Sequence, residues 1–345
     1  MAFKVSIVPA RRTIEVPAGG TILEAALGQG VDYPFGCQSG NCGSCKSHLI
    51  KGEVTMDGYS EFALSDEEKA RGLILACRAV PWEDCEVAWL EEDDLIVHPR
   101  RLLGCTVASL DDATHDIKRV RLAIVSGGPF DFSAGQFASL TFDRCAPRDY
   151  SMANLPGEAL LEFHVRRTPG GATSAYVGDR LQPGDEVRVE GPFGTSYLRE
   201  SHRGPIIAVA GGSGMAPIKS IVERALAKSM PQHIYFYFGV RGERDLYLHD
   251  HFAALAKRHG NLHFLPVLSE GDGLARRCGL VHEAVAADFD EFDGCMAYLA
   301  GPPVMVEAAT RLFEQRGMRR IDIHADAFYT AAEMAQAGKK TGAEP

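Results

Sequence analysis

The sequence predicts a multidomain chain: a small α+β domain, then an antiparallel β-barrel or sandwich, then an α/β domain built on a parallel sheet. Three observations lead there. At 345 residues the chain exceeds what one hydrophobic core ordinarily organises. Its apolar rhythm changes twice, from an amphipathic strand pair with a helix, to short strands broken by glycine and proline, to apolar strands alternating with helices. Each block also carries a glycine-rich stretch beside a predicted strand or helix end.

The first domain is expected over residues 1–94. FKVSIVPARRTIEVPAG alternates apolar and polar residues, turns at Gly19-Gly20, and leads into TILEAALGQG, a helical pattern ended by Gly30. A glycine-rich loop follows, EVAWLEEDD closes the block, and LIVHPRR (95–101) reads as a linker. Residues 102–200 hold the strands KRVRLAIV, GQFASLTF, ALLEFHVRR and DEVRVEGPFG, separated by turn signals, the mark of an antiparallel barrel or sandwich. Over 201–330 PIIAVAGGSG runs into APIKSIVERALAK, HIYFYFGV leads to HDHFAALAKRHG, and LHFLPVL, CMAYLAG and VMVEAATRLFEQRG follow. This alternation signals a parallel sheet with crossover helices. Residues 331–345 lack apolar anchors and are expected to form a flexible tail.

Composition excludes several classes. No apolar run approaches the roughly 20 residues of a membrane span, and MAFKVSIVPARR lacks the apolar centre of a signal peptide. A soluble, cytoplasmic protein is expected. The net charge of −10 is uneven: residues 1–94 contain 8 Lys and Arg against 16 Asp and Glu, the remainder 28 against 30. An acidic first domain argues against nucleic acid and anionic membrane as partners and suits a basic protein surface. The chain is expected to be a monomer.

The first block concentrates its chemistry in CQSGNCGSC. Cys37 and Cys42 are separated by four residues, Cys42 and Cys45 by two, and Cys77 follows after 31 more. In a reducing compartment such a cluster holds metal or does redox work rather than forming disulfides. C-x4-C-x2-C…C is the plant-type spacing for a [2Fe–2S] cluster, whereas a structural zinc site ordinarily pairs two hooks and only one is present. Gly36, Gly40 and Gly43, with Ser39 and Ser44, leave room for backbone N–H groups to approach the cluster sulfides. Cys85, Cys105, Cys145, Cys278 and Cys295 stand apart and are expected as small buried hydrophobes.

In the second block Arg148-Asp-Tyr150-Ser151 has the parts for a flavin dinucleotide: a cation for pyrophosphate, an aromatic ring for the isoalloxazine and a hydroxyl for a ring nitrogen. Taken alone it is also what a surface turn contains. Gly171 to Ser174 then open a predicted helix whose first N–H groups suit phosphate oxygens. In the third block Gly211-Gly212-Ser-Gly214-Met215-Ala-Pro217 follows a buried strand and opens a helix, where glycines let a pyrophosphate approach the backbone. It is not the G-x-G-x-x-G fingerprint, and a ligand-free strand–helix turn is the plain alternative. A second turn, Gly301-Pro302-Pro303, ends another strand at the same predicted crevice.

Together these motifs, in this order over about residues 3–330, resemble the reductase components of multicomponent, Rieske-type aromatic-ring oxygenases. In that family a plant-type [2Fe–2S] ferredoxin domain of β-grasp type precedes a ferredoxin–NADP+ reductase-like module with an FAD barrel and an NAD(P)H domain. The resemblance implies that Cys37, Cys42, Cys45 and Cys77 ligate the cluster. It implies that Arg148 meets FAD phosphate, Tyr150 packs on the flavin, Ser151 bonds near its N5, and His164, Val165, Gly171, Thr173 and Ser174 complete the FAD site. It also implies that Gly212, Gly214, Met215 and Pro217 border the nicotinamide nucleotide, with Gly301 and Pro302 at the same crevice, and that Phe328 covers the flavin. Ala300 stands where many relatives carry a cysteine beside the transferring hydride. In Arg241-Gly-Glu243-Arg-Asp245-Leu-Tyr247 the arginines suit a 2′-phosphate and the acids repel one; similar segments in NADH-using relatives favour NADH, with NADPH the alternative.

A nicotinamide gives up two electrons at once and a [2Fe–2S] cluster takes one, so a flavin is needed between them. The expected route is NADH to FAD to cluster to an external acceptor, the terminal oxygenase or its ferredoxin, docked on the acidic domain. The alternatives are a reductase for a diiron monooxygenase or a deoxysugar dehydratase and, from another class, a non-enzymatic redox or zinc adaptor.

Overall fold

The computed structural model describes residues 2–61, 63–90, 96–271 and 277–330. They form two compact units, one built on residues 2–90 and the other on Ile96–Phe328. The tail expected at 331–345, and Leu95 at the head of the expected linker, lie outside the described residues.

In the first unit β1 (Ala2–Ile7) and β2 (Arg12–Pro17) form an antiparallel hairpin whose alternate residues Val5, Ile7, Ile14 and Val16 are buried. Helix α1 (Ile22–Gly28) is capped by Thr21, whose hydroxyl accepts from Glu24 N, and buries Ile22, Leu23 and Ala26. β3 (Lys46–Lys51), β4 (Val54–Met56), the short α2 (Asp66–Ala70), β5 (Leu73–Leu75), β6 (Ala79–Pro81) and β7 (Cys85–Trp89) follow. The main sheet has the order β2-β1-β7-β3-β5, with β7 parallel to β1 and antiparallel to β3. The chain between α1 and β3 is irregular, and it carries three of the clustered cysteines.

The second unit opens with β8 (Arg101–Asp112), β9 (Ile117–Ser126), β10 (Phe137–Thr141), β11 (Arg148–Ser151), β12 (Leu160–Arg166), α3 (Ala172–Asp179) and β13 (Glu186–Phe193). The antiparallel order is β11-β10-β13-β8-β9-β12, and a bridge between Met152 and Phe163 brings the two edges together into a nearly closed barrel. The long β8 escapes the sequence reading because only Leu103, Cys105 and Val107 are buried along it, a short alternation in a twelve-residue strand.

The same unit continues with β14 (Ile206–Gly211), α4 (Met215–Ala227), β15 (Ile234–Val240), α5 (His249–Arg258), β16 (Leu262–Leu268), β17 (Arg277–Cys278), α6 (Val281–Asp288), β18 (Met296–Gly301), α7 (Pro303–Gln315) and β19 (Ile323–Ala327). All pairs are parallel, in the order β17-β16-β15-β14-β18-β19. Strand addition reverses between β14 and β18, and such a switch leaves a crevice at the carboxyl ends of those strands. Every residue of β14 is buried, which accounts for its unbroken apolar run. Of the isolated cysteines, Cys85, Cys105 and Cys295 are buried and Cys145 half-buried. Cys278 departs from expectation: it is exposed, on the two-residue strand at the sheet edge. Among the described residues no helix is long and apolar enough to cross a membrane.

Barrel and α/β layer are joined by a polar seam. On α4, Lys219 Nζ donates to Ala153 O (2.9 Å) and Ser220 Oγ to Asn154 O (2.8 Å). Glu162 accepts from Arg119 Nη2 (3.0 Å) and Arg121 Nε (2.9 Å), with Lys219 Nζ at 3.9 Å. Burial alone would raise the Glu162 pKa. The hydrogen bond to His164 and the charges of Lys219 and Arg119 outweigh it and hold the carboxyl well below its usual 4.5. The seam's contribution to stability is therefore complete above that pH and is lost as pH falls toward the folded value. Glu162→Gln is expected to cost about 3 kcal/mol, the lower end for breaking a buried ion pair because Arg121 keeps Asp111 and Lys219 keeps Glu223. Urea unfolding of the FAD-loaded protein checks this, and the variant should also lose the acid dependence.

Candidate functional site

Four thiols meet in the first unit. Cys37 Sγ faces Cys42 and Cys45 faces Cys77, making two pairs. The loop aims its amides at sulfur: Cys37 N donates to Cys42 Sγ (3.3 Å), and Asn41 N (3.3 Å) and Ser39 N (3.5 Å) donate to Cys37 Sγ. Cys42 and then the loop donors draw the Cys37 thiol below its ordinary range. Contact with Cys37 and burial push Cys42 up, as contact with Cys77 and burial push Cys45 up. Four clustered thiols in two touching pairs, Cys45 and Cys77 buried and Cys37 and Cys42 half-buried, cannot all ionise without cationic charge between them, which iron supplies. A Cβ on Gly36 would lie 3.0 Å from Cys42 Sγ and 2.9 Å from Ser44 Oγ, so the cradle closes on glycine. Gly40, at φ +79°, takes the left-handed turn that lets the loop double back. The donor set fits a [2Fe–2S] cluster.

In the second unit Arg148, Tyr150 and Ser151 lie on β11, at the barrel edge. Tyr150 packs against the barrel core, and burial pushes its hydroxyl pKa up to about 12. Arg148 is exposed. Gly171, Thr173 and Ser174 form the start of α3, and Thr173 Oγ1 donates to Ala146 O (3.4 Å), which brings that helix end beside the segment carrying Arg148. A cation and an open helix N-terminus side by side suit a pyrophosphate. His164 and Val165 do not present side chains there. Val165 is in the barrel core, and His164 is buried with both ring nitrogens engaged, so only their backbone remains for a flavin.

A cavity of about 290 Å³ opens at the carboxyl ends of the parallel strands, lined among others by Gly211, Gly212, Arg241, Asp245 and Pro302. Met215 and Pro217, expected on its border, are buried in the first turn of α4 and shape the turn from behind. Ala300 is a buried strand residue paired with Ala210. Asp245 is 8% exposed; its Oδ2 accepts from Gly242 N (3.0 Å). Its buried Oδ1 has no hydrogen bond, and His115 Nδ1 and Arg241 Nη2 stand off at 3.7 and 3.8 Å.

The last strand joins the two halves of this site. Phe328 N donates to Gly301 O (2.9 Å), and Ser151 Oγ donates to Asp326 Oδ2 (3.2 Å). Three residues of the site went unread in the sequence. Asp326 stood two positions before Phe328 in HADAFY, and Arg166, which lines the cavity, ended the HVR triplet. His115 sits in the β8–β9 turn, where no local pattern singles it out.

Residues 5–81 match the 2Fe-2S iron–sulfur cluster binding domain, 104–197 the oxidoreductase FAD-binding domain and 208–311 the oxidoreductase NAD-binding domain. The chain is 41% identical over 325 residues to the reductase component of the naphthalene 1,2-dioxygenase/salicylate 5-hydroxylase systems of a Ralstonia species, covering 94% of this chain and 98% of that one. It is 40% identical over 338 residues to the aromatic O-demethylase reductase subunit of Amycolatopsis, covering 96% and 100%. Among solved structures, an Amycolatopsis cytochrome P450 reductase superposes with a TM-score of 0.78 at 39% identity, over 95% of this chain and 99% of that one. The ferredoxin reductase in carbazole 1,9a-dioxygenase gives 0.70 at 27% identity, again over 95% and 99%. A likeness that runs through all three domains in one order makes the chain a member of the family of NAD(P)H-dependent iron–sulfur flavoprotein reductases that form the reductase components of oxygenase systems.

Proposed function

We propose that the chain oxidises NADH in preference to NADPH and delivers single electrons to the terminal oxygenase, or its ferredoxin, of an aromatic-ring hydroxylating system. The observation that carries this reading is the junction at β19. Through Asp326 it holds the hydroxyl of the flavin strand, and through Phe328 N it holds the carbonyl of the nucleotide turn. Tyr150 and Phe328 would hold the flavin ring and Gly301 would border the nicotinamide. When bound, FAD and the [2Fe–2S] cluster convert a two-electron hydride into electrons passed on singly.

The protein's part is placement and charge. Arg148 and the start of α3 hold the FAD phosphates, and Cys37, Cys42, Cys45 and Cys77 hold the cluster. Ser151, donating to Asp326, would place a hydroxyl and a carboxylate at the flavin edge. Asp245, in the cavity wall, favours NADH because its carboxylate repels a 2′-phosphate. The acidic first domain suits a basic docking face on the acceptor.

Anaerobic titration with NADH is expected to bleach flavin and cluster together, with kcat/KM for NADH above that for NADPH. A cluster that stays oxidised would refute the electron route, and an NADPH preference would refute the role of Asp245. Reduction of purified Rieske-type, diiron and P450 acceptors, compared side by side, tests the partner; faster reduction of either of the latter two overturns that assignment.

A further inference from the structure

Strand β12 has two faces with different work. Phe163 and Val165 lie in the barrel core, and the intervening Glu162, His164 and Arg166 point the opposite way, as strand alternation requires. On that face His164 Nε2 is 3.1 Å from Glu162 Oε1, and its Nδ1 is 3.0 Å from Tyr247 Oη. Tyr247, beyond the end of β15, packs edge-on against Phe238 (ring centroids 5.7 Å) and His164 (5.4 Å). Its hydroxyl also reaches within 3.4 Å of Gly212 O. Gly212 has φ +55°, and a Cβ there would lie 2.8 Å from Arg166 Nη1. Two side chains carried or anchored by β12 therefore bracket the peptide that begins the nucleotide turn.

The protons in this chain can be assigned. Glu162, ionised among Arg119, Arg121 and Lys219, only accepts, so His164 donates from Nε2. Burial, the largest influence, lowers the His164 pKa and keeps the ring neutral, which leaves Nδ1 as an acceptor. The single Tyr247 proton has two acceptors in reach and goes to Nδ1, the nearer. The tyrosine oxygen is thus pinned behind Gly212 by a residue of the barrel.

We propose that His164 and Tyr247 are positioning residues for hydride transfer: the outward face of β12 anchors the Tyr247 hydroxyl, which backs the Gly212 peptide and sets the turn on which the nicotinamide nucleotide is seated. This rests on the reading of Gly212 as the border of that nucleotide. It gives His164 a task other than flavin contact and couples the geometry of the two cofactor sites through one strand. Without the hydroxyl, Nδ1 loses its donor, a gap opens behind Gly212, and the turn relaxes away from the flavin.

The test is a double-mutant cycle on the FAD- and cluster-loaded protein, reading NAD+ affinity by calorimetry and the primary isotope effect on flavin reduction by C4-deuterated NADH. Tyr247→Phe keeps the ring and should weaken NAD+ binding about threefold to tenfold, the range for loss of one hydrogen bond, with FAD content unchanged and a larger isotope effect. His164→Gln should act on the same parameters, and the double variant should be no worse than the weaker single one. Phe238→Leu loosens the packing of the Tyr247 ring but keeps its hydroxyl; it should lower thermal stability and weaken NAD+ binding less than Tyr247→Phe does. Additive single effects, unchanged affinity and isotope effect in Tyr247→Phe, or an equal loss of affinity in Phe238→Leu would each overturn the proposal. If His164→Gln does not fold, the contrast between Tyr247→Phe and Phe238→Leu decides. Failure of the unaltered protein to bind NAD+ would overturn the nucleotide reading of the turn instead.

Discussion

Gly214→Ala is expected to lose at least about 100-fold in kcat/KM with NADH, the scale of loss from misplacing reacting groups by an ångström. Gly214 sits where the first turn of α4 crosses the end of β18. A Cβ there would lie 2.0 Å from Ala300 O, 2.4 Å from Ala300 C and 2.8 Å from Gly301 N. All three are backbone atoms of a strand paired on both sides, β14 on one and β19 on the other, so none can yield as a flexible side chain would. The backbone of Gly214 itself is ordinary, at φ −60° and ψ −13°, so the penalty is steric rather than conformational. Relief requires β14 and β18 to part at the switch point, which moves Gly212 and Gly301 away from each other. Steady-state reduction of ferricyanide measures the loss, and FAD content and thermal unfolding report whether the fold survives. Activity within a few-fold of the unaltered enzyme, with the fold intact, would show that the turn tolerates displacement and is not the nucleotide seat.

Cys77→Ser is expected to abolish or strongly perturb the iron–sulfur absorbance and to reduce electron delivery to an oxygenase or cytochrome to background, while NADH-to-ferricyanide activity persists. Cys77 is 5% exposed and faces Cys45, so its loss leaves a buried thiol without a counterpart and the cluster one sulfur ligand short. The flavin and nucleotide sites lie in the other compact unit, Ile96–Phe328, and have their own core. Visible and electron paramagnetic resonance spectra of the reduced protein follow the cluster; ferricyanide follows the flavin. Loss of both activities together would assign Cys77 a structural role in folding.

Much of the metal site was legible because it is local. CQSGNCGSC places three of the four clustered thiols and their glycines within one loop. The glycine turns of the third block were legible for a related reason: a buried six-residue strand running into glycines and then a helical period is a short-range pattern. His164 shows the limit. HVR lies at the right place for a flavin strand, but which side chains of a strand face a ligand depends on which face the barrel takes, and here the barrel takes Phe163 and Val165. Cys278 departs from the expectation because β17 is only two residues long and sits at the sheet edge, where its side chain is exposed.

The sequence by itself determined the elements whose physics is short-range: the cysteine cradle, the strand and helix periods, the glycine turns and their order along the chain. Only the tertiary structure decided which of these meet. Ser151 and Asp326 are 175 residues apart and His164 and Tyr247 are 83 apart, yet each pair is within hydrogen-bonding distance. Those meetings follow from closure of the barrel at Met152–Phe163 and from the reversal of strand order at β14 and β18, where non-local packing selects the partners that no local period encodes.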